Sequence, residues 1–86
     1  MEQIERLMEE GINLADLGRL EEAIGCYEEA INLCRQWAEG KGREEFLARA
    51  LSNKGAALRR LGRLEESLNC LNEAVALYQQ LTKLEG

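Results

Sequence analysis

The stretch that decides the fold is Leu17 to Gln36, LGRLEEAIGCYEEAINLCRQ, because it recurs as Leu61 to Gln80, LGRLEESLNCLNEAVALYQQ. The two align without a gap, eleven of twenty positions are identical, and the offset is 44 residues. Internal repetition at such a period marks stacked supersecondary units rather than one irregular core. Working upstream, Leu7, Gly11 and Leu14 recur as Leu51, Gly55 and Leu58, so a first unit of about residues 1–39 and a second of about 43–86 fill the 86-residue chain as a single helical-repeat domain.

Each unit reads as two helices. In the first, Ile4, Leu7, Met8, Ile12, Leu14 and Ala15 fall at spacings that place them on one helical face, and Gly18 follows as a stop that can adopt the left-handed backbone conformation. Leu20 opens the next helix, with Glu21 and Glu22 in a first turn where the helix dipole favours negative charge; Gly62, Leu64, Glu65 and Glu66 repeat the pattern. Its apolar stripe runs through Ala23, Ile24, Tyr27, Ala30, Ile31 and Cys34 to Trp37. Taking Glu39-Gly40-Lys41-Gly42 as the corner between units, the periodicity predicts helices at about 2–17, 20–38, 43–61 and 64–84. Connections this short force antiparallel neighbours, so the expected architecture is all-α, two stacked helical hairpins. Glycine in a helix costs about 1 kcal/mol relative to alanine, so Gly11 and Gly55 at equivalent places predict close helix contacts, as do the small Ala30 and Ala74. Gly25, whose counterpart is Asn69, is expected on a solvent-facing side.

Composition narrows the functional classes. With 31% charged residues, 45% hydrophobic ones and no apolar run of membrane-spanning length, the chain is expected to be soluble and outside any membrane. A net charge of −5 argues against nucleic-acid binding. That charge is lopsided, −6 over residues 1–42 and +1 over 43–86. There is no histidine, no CxxC pair and no glycine-rich phosphate loop, so no metal, no cofactor and no enzymatic activity are expected. Cys26, Cys34 and Cys70 read as small packed thiols whose odd number suits a reducing, cytoplasmic setting.

The order of these residues resembles the tetratricopeptide repeat. Leu7, Gly11, Leu14, Gly18, Ala23, Tyr27 and Ala30 stand at its signature places in the first unit, and Leu51, Gly55, Leu58, Gly62, Ser67, Leu71 and Ala74 in the second. The period of 44, against about 34 for the usual repeat, and the missing closing proline are similar to the lengthened form found in scaffold and motor-adaptor proteins. That form implies longer helices, with Trp37 and Phe46 packing across the extension. The resemblance implies a protein-interaction or scaffold module whose first helices line a concave face. It puts Arg49, Ser52, Asn53, Ala56, Arg59 and Arg60 on that face in one unit, and Glu5, Met8, Glu9, Ile12, Ala15 and Asp16 in the other. A peptide or partner helix would lie there, with Met8, Ile12, Arg49, Asn53, Ala56, Arg59 and Arg60 as its principal contacts, a carboxylate beside Arg49 or Arg60. The family's carboxylate clamp also needs lysines that the matching places lack, so that specificity is not carried over.

The alternative reading is a self-assembling piece. The fourth helix offers Leu68, Leu71, Val75, Leu77, Leu81 and Leu84, more apolar residues than one side of two hairpins is expected to bury, which suits a homodimer or exchanged hairpins. Two near-identical units suit a duplicated natural segment, an excised piece of a longer array and a designed chain equally, and Leu84-Glu85-Gly86 reads equally as a cloning scar.

Overall fold

The computed structural model describes residues 2–37 and 41–85, and of Lys41, Leu84 and Glu85 the backbone alone. Four helices follow one another: α1 Glu2–Asp16, α2 Leu20–Gln36, α3 Lys41–Arg60 and α4 Leu64–Glu85. α1 packs on α2, α2 on α3 and α3 on α4, while α1 only brushes α3. The result is two stacked hairpins in which α2 and α3 form the seam.

The two corners are copies. Gly18 and Gly62 have φ of 80° and 83°, the left-handed region that a side chain disfavours. At the first corner the Gly18 amide donates to the Ala15 carbonyl at 3.0 Å and the Arg19 amide to the Leu14 carbonyl at 2.9 Å. At the second, Gly62 to Arg59 and Arg63 to Leu58 repeat the same distances. These bonds close off carbonyls that a helix end would leave unpaired. Arg19 at the start of α2 has no side-chain capping bond of its own. Its guanidinium instead holds both oxygens of Glu22 at 2.7 and 2.6 Å, and Arg63 holds Glu66 at 3.0 and 2.7 Å. These forks lower both glutamate pKa values, the hydrogen bond to arginine being the main cause.

Close approach explains the interior glycines. A methyl group built on Gly11 would stand 2.5 Å from Cε1 of Tyr27, and one on Gly55 would stand 2.8 Å from Cγ of Leu71. Gly25 faces solvent with nothing near it. Ala23, Ala30 and Ala74 are buried where the helices of each hairpin meet. Ser67, standing where the first unit has Ala23, is a buried polar residue, and its hydroxyl donates to the Gly55 carbonyl at 2.7 Å. One continuous core joins all four helices, with Leu58 and Cys34 fully enclosed.

Two helix ends differ from the expected ones by two residues, the others by one or none. α2 ends at Gln36, and Trp37 turns into extended backbone with ψ of 143° while its amide still donates to Leu33 and Cys34 carbonyls. Its ring packs on Phe46 of α3, centroids 6.4 Å apart, as the resemblance implied, but from just beyond the helix end. α3 starts at Lys41 and takes in Gly42, so half of the expected corner is helical. A side chain at Gly42 would touch the Trp37 ring, 3.6 Å away. Ala38, Glu39 and Gly40 lie outside the described residues.

α4 divides its apolar residues differently from the expectation. Leu81 is buried, and Leu71 and Leu77 are half-buried, because the α3–α4 hairpin itself covers them. Leu68 and Val75 remain exposed, together with Leu64 and Tyr78, which the expectation omitted. The side chain of Leu84 lies outside the described residues.

Candidate partner-binding face

α1 and α3 approach each other on one side of the stack, and the channel between them collects most of the side chains expected at a concave face. Two hollows adjoin there and share Ile12. One of about 280 Å³ is lined by Glu5, Met8, Glu9, Ile12, Phe46 and Arg49. The other, about 170 Å³, is lined by Ile12, Ala15, Asp16, Tyr27, Asn53, Ala56, Ala57 and Arg60. The carboxylates come from α1 and the guanidinium groups from α3, so the channel has an acidic wall, a basic wall and an apolar floor.

The expected contacts do not stand alike. Ile12 is 40% exposed and Ala56 is also exposed, so both are open to a ligand. Met8 is buried and serves as floor, because its side chain is drawn into the core beneath α1. Asn53 is half-buried at the edge of the smaller hollow, with amide groups able to bond a peptide backbone. Arg49 is exposed, its guanidinium carbon 5.5 Å from the centre of the Phe46 ring, a stacking that steadies a long side chain at the mouth of the larger hollow.

Arg60 has a different engagement. It donates to the Ala15 carbonyl at 3.1 Å, placing a cation at the C-terminal end of α1 and tying the two units together. Arg59 is exposed and lines neither hollow. Phe46 was not among the expected contacts of this face, although its position one helical turn before Arg49 was the available signal. Further ties hold the seam in register: Lys54 pairs with Glu28 at 3.2 Å and Arg43 donates to the Cys34 carbonyl at 2.9 Å, while Arg35 of α2 reaches past it to Glu73 of α4 at 3.1 Å.

Burial raises the pKa of all three cysteine thiols, desolvation being the main cause in each, so they are poor nucleophiles at neutral pH. Among the described residues no cluster of three metal-ligating side chains occurs, and no helix is long and apolar enough to cross a membrane.

Paired helices joined at a left-handed glycine, stacked through α2 and α3 and opening a channel between first helices, define a helical-repeat interaction module. The chain belongs to the tetratricopeptide repeat family, whose model, described as "Tetratricopeptide repeat", matches residues 3–80. Proteins are accordingly its class of partner, since repeats of this family are protein–protein interaction modules. No curated protein and no solved structure matches the chain.

Proposed function

We infer that the channel between α1 and α3 receives a peptide segment or partner helix, and that the chain works as a non-enzymatic scaffold domain in the cytoplasm. The observation that carries this is the arrangement around Ile12: an exposed apolar floor between Glu5 and Glu9 on one wall and Arg49 on the other. Such a channel suits a segment that sets an aliphatic side chain at Ile12 and an acidic group beside it, facing Arg49. Arg60 is held by Ala15, so Arg49 is the cation available to that carboxylate. Asn53 then bonds the segment's backbone further along.

Panning a displayed peptide library on the chain tests this. Enriched sequences are expected to pair an aliphatic residue with an acidic neighbour and to lose binding to Arg49→Glu and to Ile12→Glu. Enriched peptides that hold both variants as tightly as the original chain would show that the channel is not the site.

A further inference from the structure

The repeat supplies its own control for what α4 leaves uncovered. Counterparts lie 44 positions apart. Ile24 is 5% exposed and its counterpart Leu68 is 59%; Ile31 is 5% and Val75 is 53%; Cys34 is 0% and Tyr78 is 42%. Both stripes are apolar, and only one has a helix over it. α3 covers the stripe of α2, whereas among the described residues nothing covers that of α4, along which lies an open hollow of about 540 Å³ lined by Val75, Tyr78, Gln79, Thr82 and Lys83. An apolar face of this kind gains free energy when water is removed from it.

The other end of the stack is polar at the matching places. Arg43 and Lys54 mark the side of α3 that meets α2, and Leu47, Ala50 and Ala57 lie on that same side at helical spacing, all buried. The α1 residues at those last three places are Gln3, Arg6 and Asn13, all exposed. Stacking a second copy head to tail would press these polar groups onto the α4 stripe and strip them of water. The face of the molecule that suits α4 is therefore α4 itself.

Two details fit a symmetric pairing. Leu68 and Val75, and Leu64 and Gln79, are equally distant along the helix from the point between Leu71 and Asn72, so an antiparallel pair centred there sets Leu68 against the partner's Val75. At that centre the first unit has Glu28, which takes Lys54 at 3.2 Å, but α4 has Asn72. A glutamate on a two-fold axis would face its own copy, whereas a neutral amide donates and accepts and so pairs with itself. The charge distribution agrees: residues 43–86 carry +1 and residues 1–42 carry −6, so joining through α4 keeps the acidic hairpins at opposite ends.

We propose that α4 is the face through which two copies of this chain close a two-fold dimer, with the helices antiparallel and the axis beside Asn72. Because the interface is isologous and the α1 end is polar, assembly stops at two.

Sedimentation equilibrium of the full chain over a wide concentration range is the test. The mass is expected to rise from 9.7 kDa toward twice that value. Asn72→Glu and Leu68→Glu change exposed residues, so they are expected to keep the helical circular dichroism while weakening association by about tenfold or more. Gln80→Glu, exposed on the far side of α4, is expected to leave association unchanged. A chain that stays at 9.7 kDa throughout, as it would if a separate segment or another protein covers α4, overturns the proposal. So does undiminished association of folded Asn72→Glu, and so does growth beyond two copies.

Discussion

Alanine placed at two glycines of the first hairpin is expected to move stability in opposite directions, and the comparison isolates packing from backbone propensity. Gly11 lies in α1 and Gly25 in α2, so each substitution gains the same helix-propensity term, up to about 1 kcal/mol. At Gly25 the new methyl meets nothing within 4 Å, and the gain stands alone. At Gly11 it would lie 2.5 Å from Cε1 and 2.9 Å from Cδ1 of Tyr27, where carbon atoms ordinarily rest about 3.5 to 4.0 Å apart. Tyr27 is buried, with α1 on one side of its ring and the seam on the other, so the ring cannot swing clear into solvent. Overpacking of this kind costs about 1 to 3 kcal/mol. Subtracting one variant from the other cancels the propensity term and leaves that cost, which at about 4 to 8 °C per kcal/mol separates the two melting temperatures by several degrees at least. Thermal unfolding followed by circular dichroism, at one protein concentration, reads it directly. Equal upward shifts for both variants would refute the close contact and the hairpin geometry that rests on it.

Gly55→Ala should fall between these two, because half-buried Leu71 can shift from the new methyl more readily than the buried Tyr27 ring, although the Ser67 carbonyl oxygen 3.3 Å away cannot. Replacing Ser67 by alanine removes the buried bond to the Gly55 carbonyl, and urea unfolding is expected to show a loss of about 0.5 to 1.5 kcal/mol. The loss is bounded because the first unit already holds an alanine, the fully buried Ala23, at that place. Glu22 and Glu66 should titrate below ordinary glutamates in carboxyl NMR spectra. Since their pKa values are lowered in the folded chain, the Arg19 and Arg63 forks contribute in full above the ordinary glutamate range and are lost as pH falls through the lowered values. Arg19→Ala should return Glu22, and not Glu66, to ordinary behaviour. A thiol reagent should modify half-exposed Cys26 before buried Cys34 and Cys70, all three reacting faster as pH rises; equal rates at neutral pH would argue against the packing assigned to them.

What could be read from the sequence was whatever the chain states twice. The corners at Gly18 and Gly62 and the close contacts at Gly11 and Gly55 follow from comparing units, because a residue type retained at equivalent places reflects a local geometric need, and the exchange of Gly25 for Asn69 marks a place with none. Features that depend on a neighbour in space were not legible in the same way. The packing of Trp37 on Phe46 was implied by the resemblance, but not that Trp37 would make it from extended backbone, with α2 ending at Gln36. The channel was legible in outline, since Ile12, Ala56 and Asn53 line it as expected. The family resemblance assigned Met8 and Arg60 to the same face, but not the depth of one or the bond of the other to Ala15. On α4, counting leucines overstated the uncovered surface because the α3–α4 hairpin encloses Leu81, whereas pairing Leu68 with Ile24 and Val75 with Ile31 locates it.

The central claim is that the second half of the chain repeats the packing of the first, and a nuclear Overhauser spectrum tests it most directly. Because the Tyr27 ring and the Leu71 side chain sit against the bare backbones of Gly11 and Gly55, strong cross peaks are expected from the Gly11 α-protons to the Tyr27 ring and from the Gly55 α-protons to the Leu71 methyls. Finding one set without the other, or neither, would contradict the account.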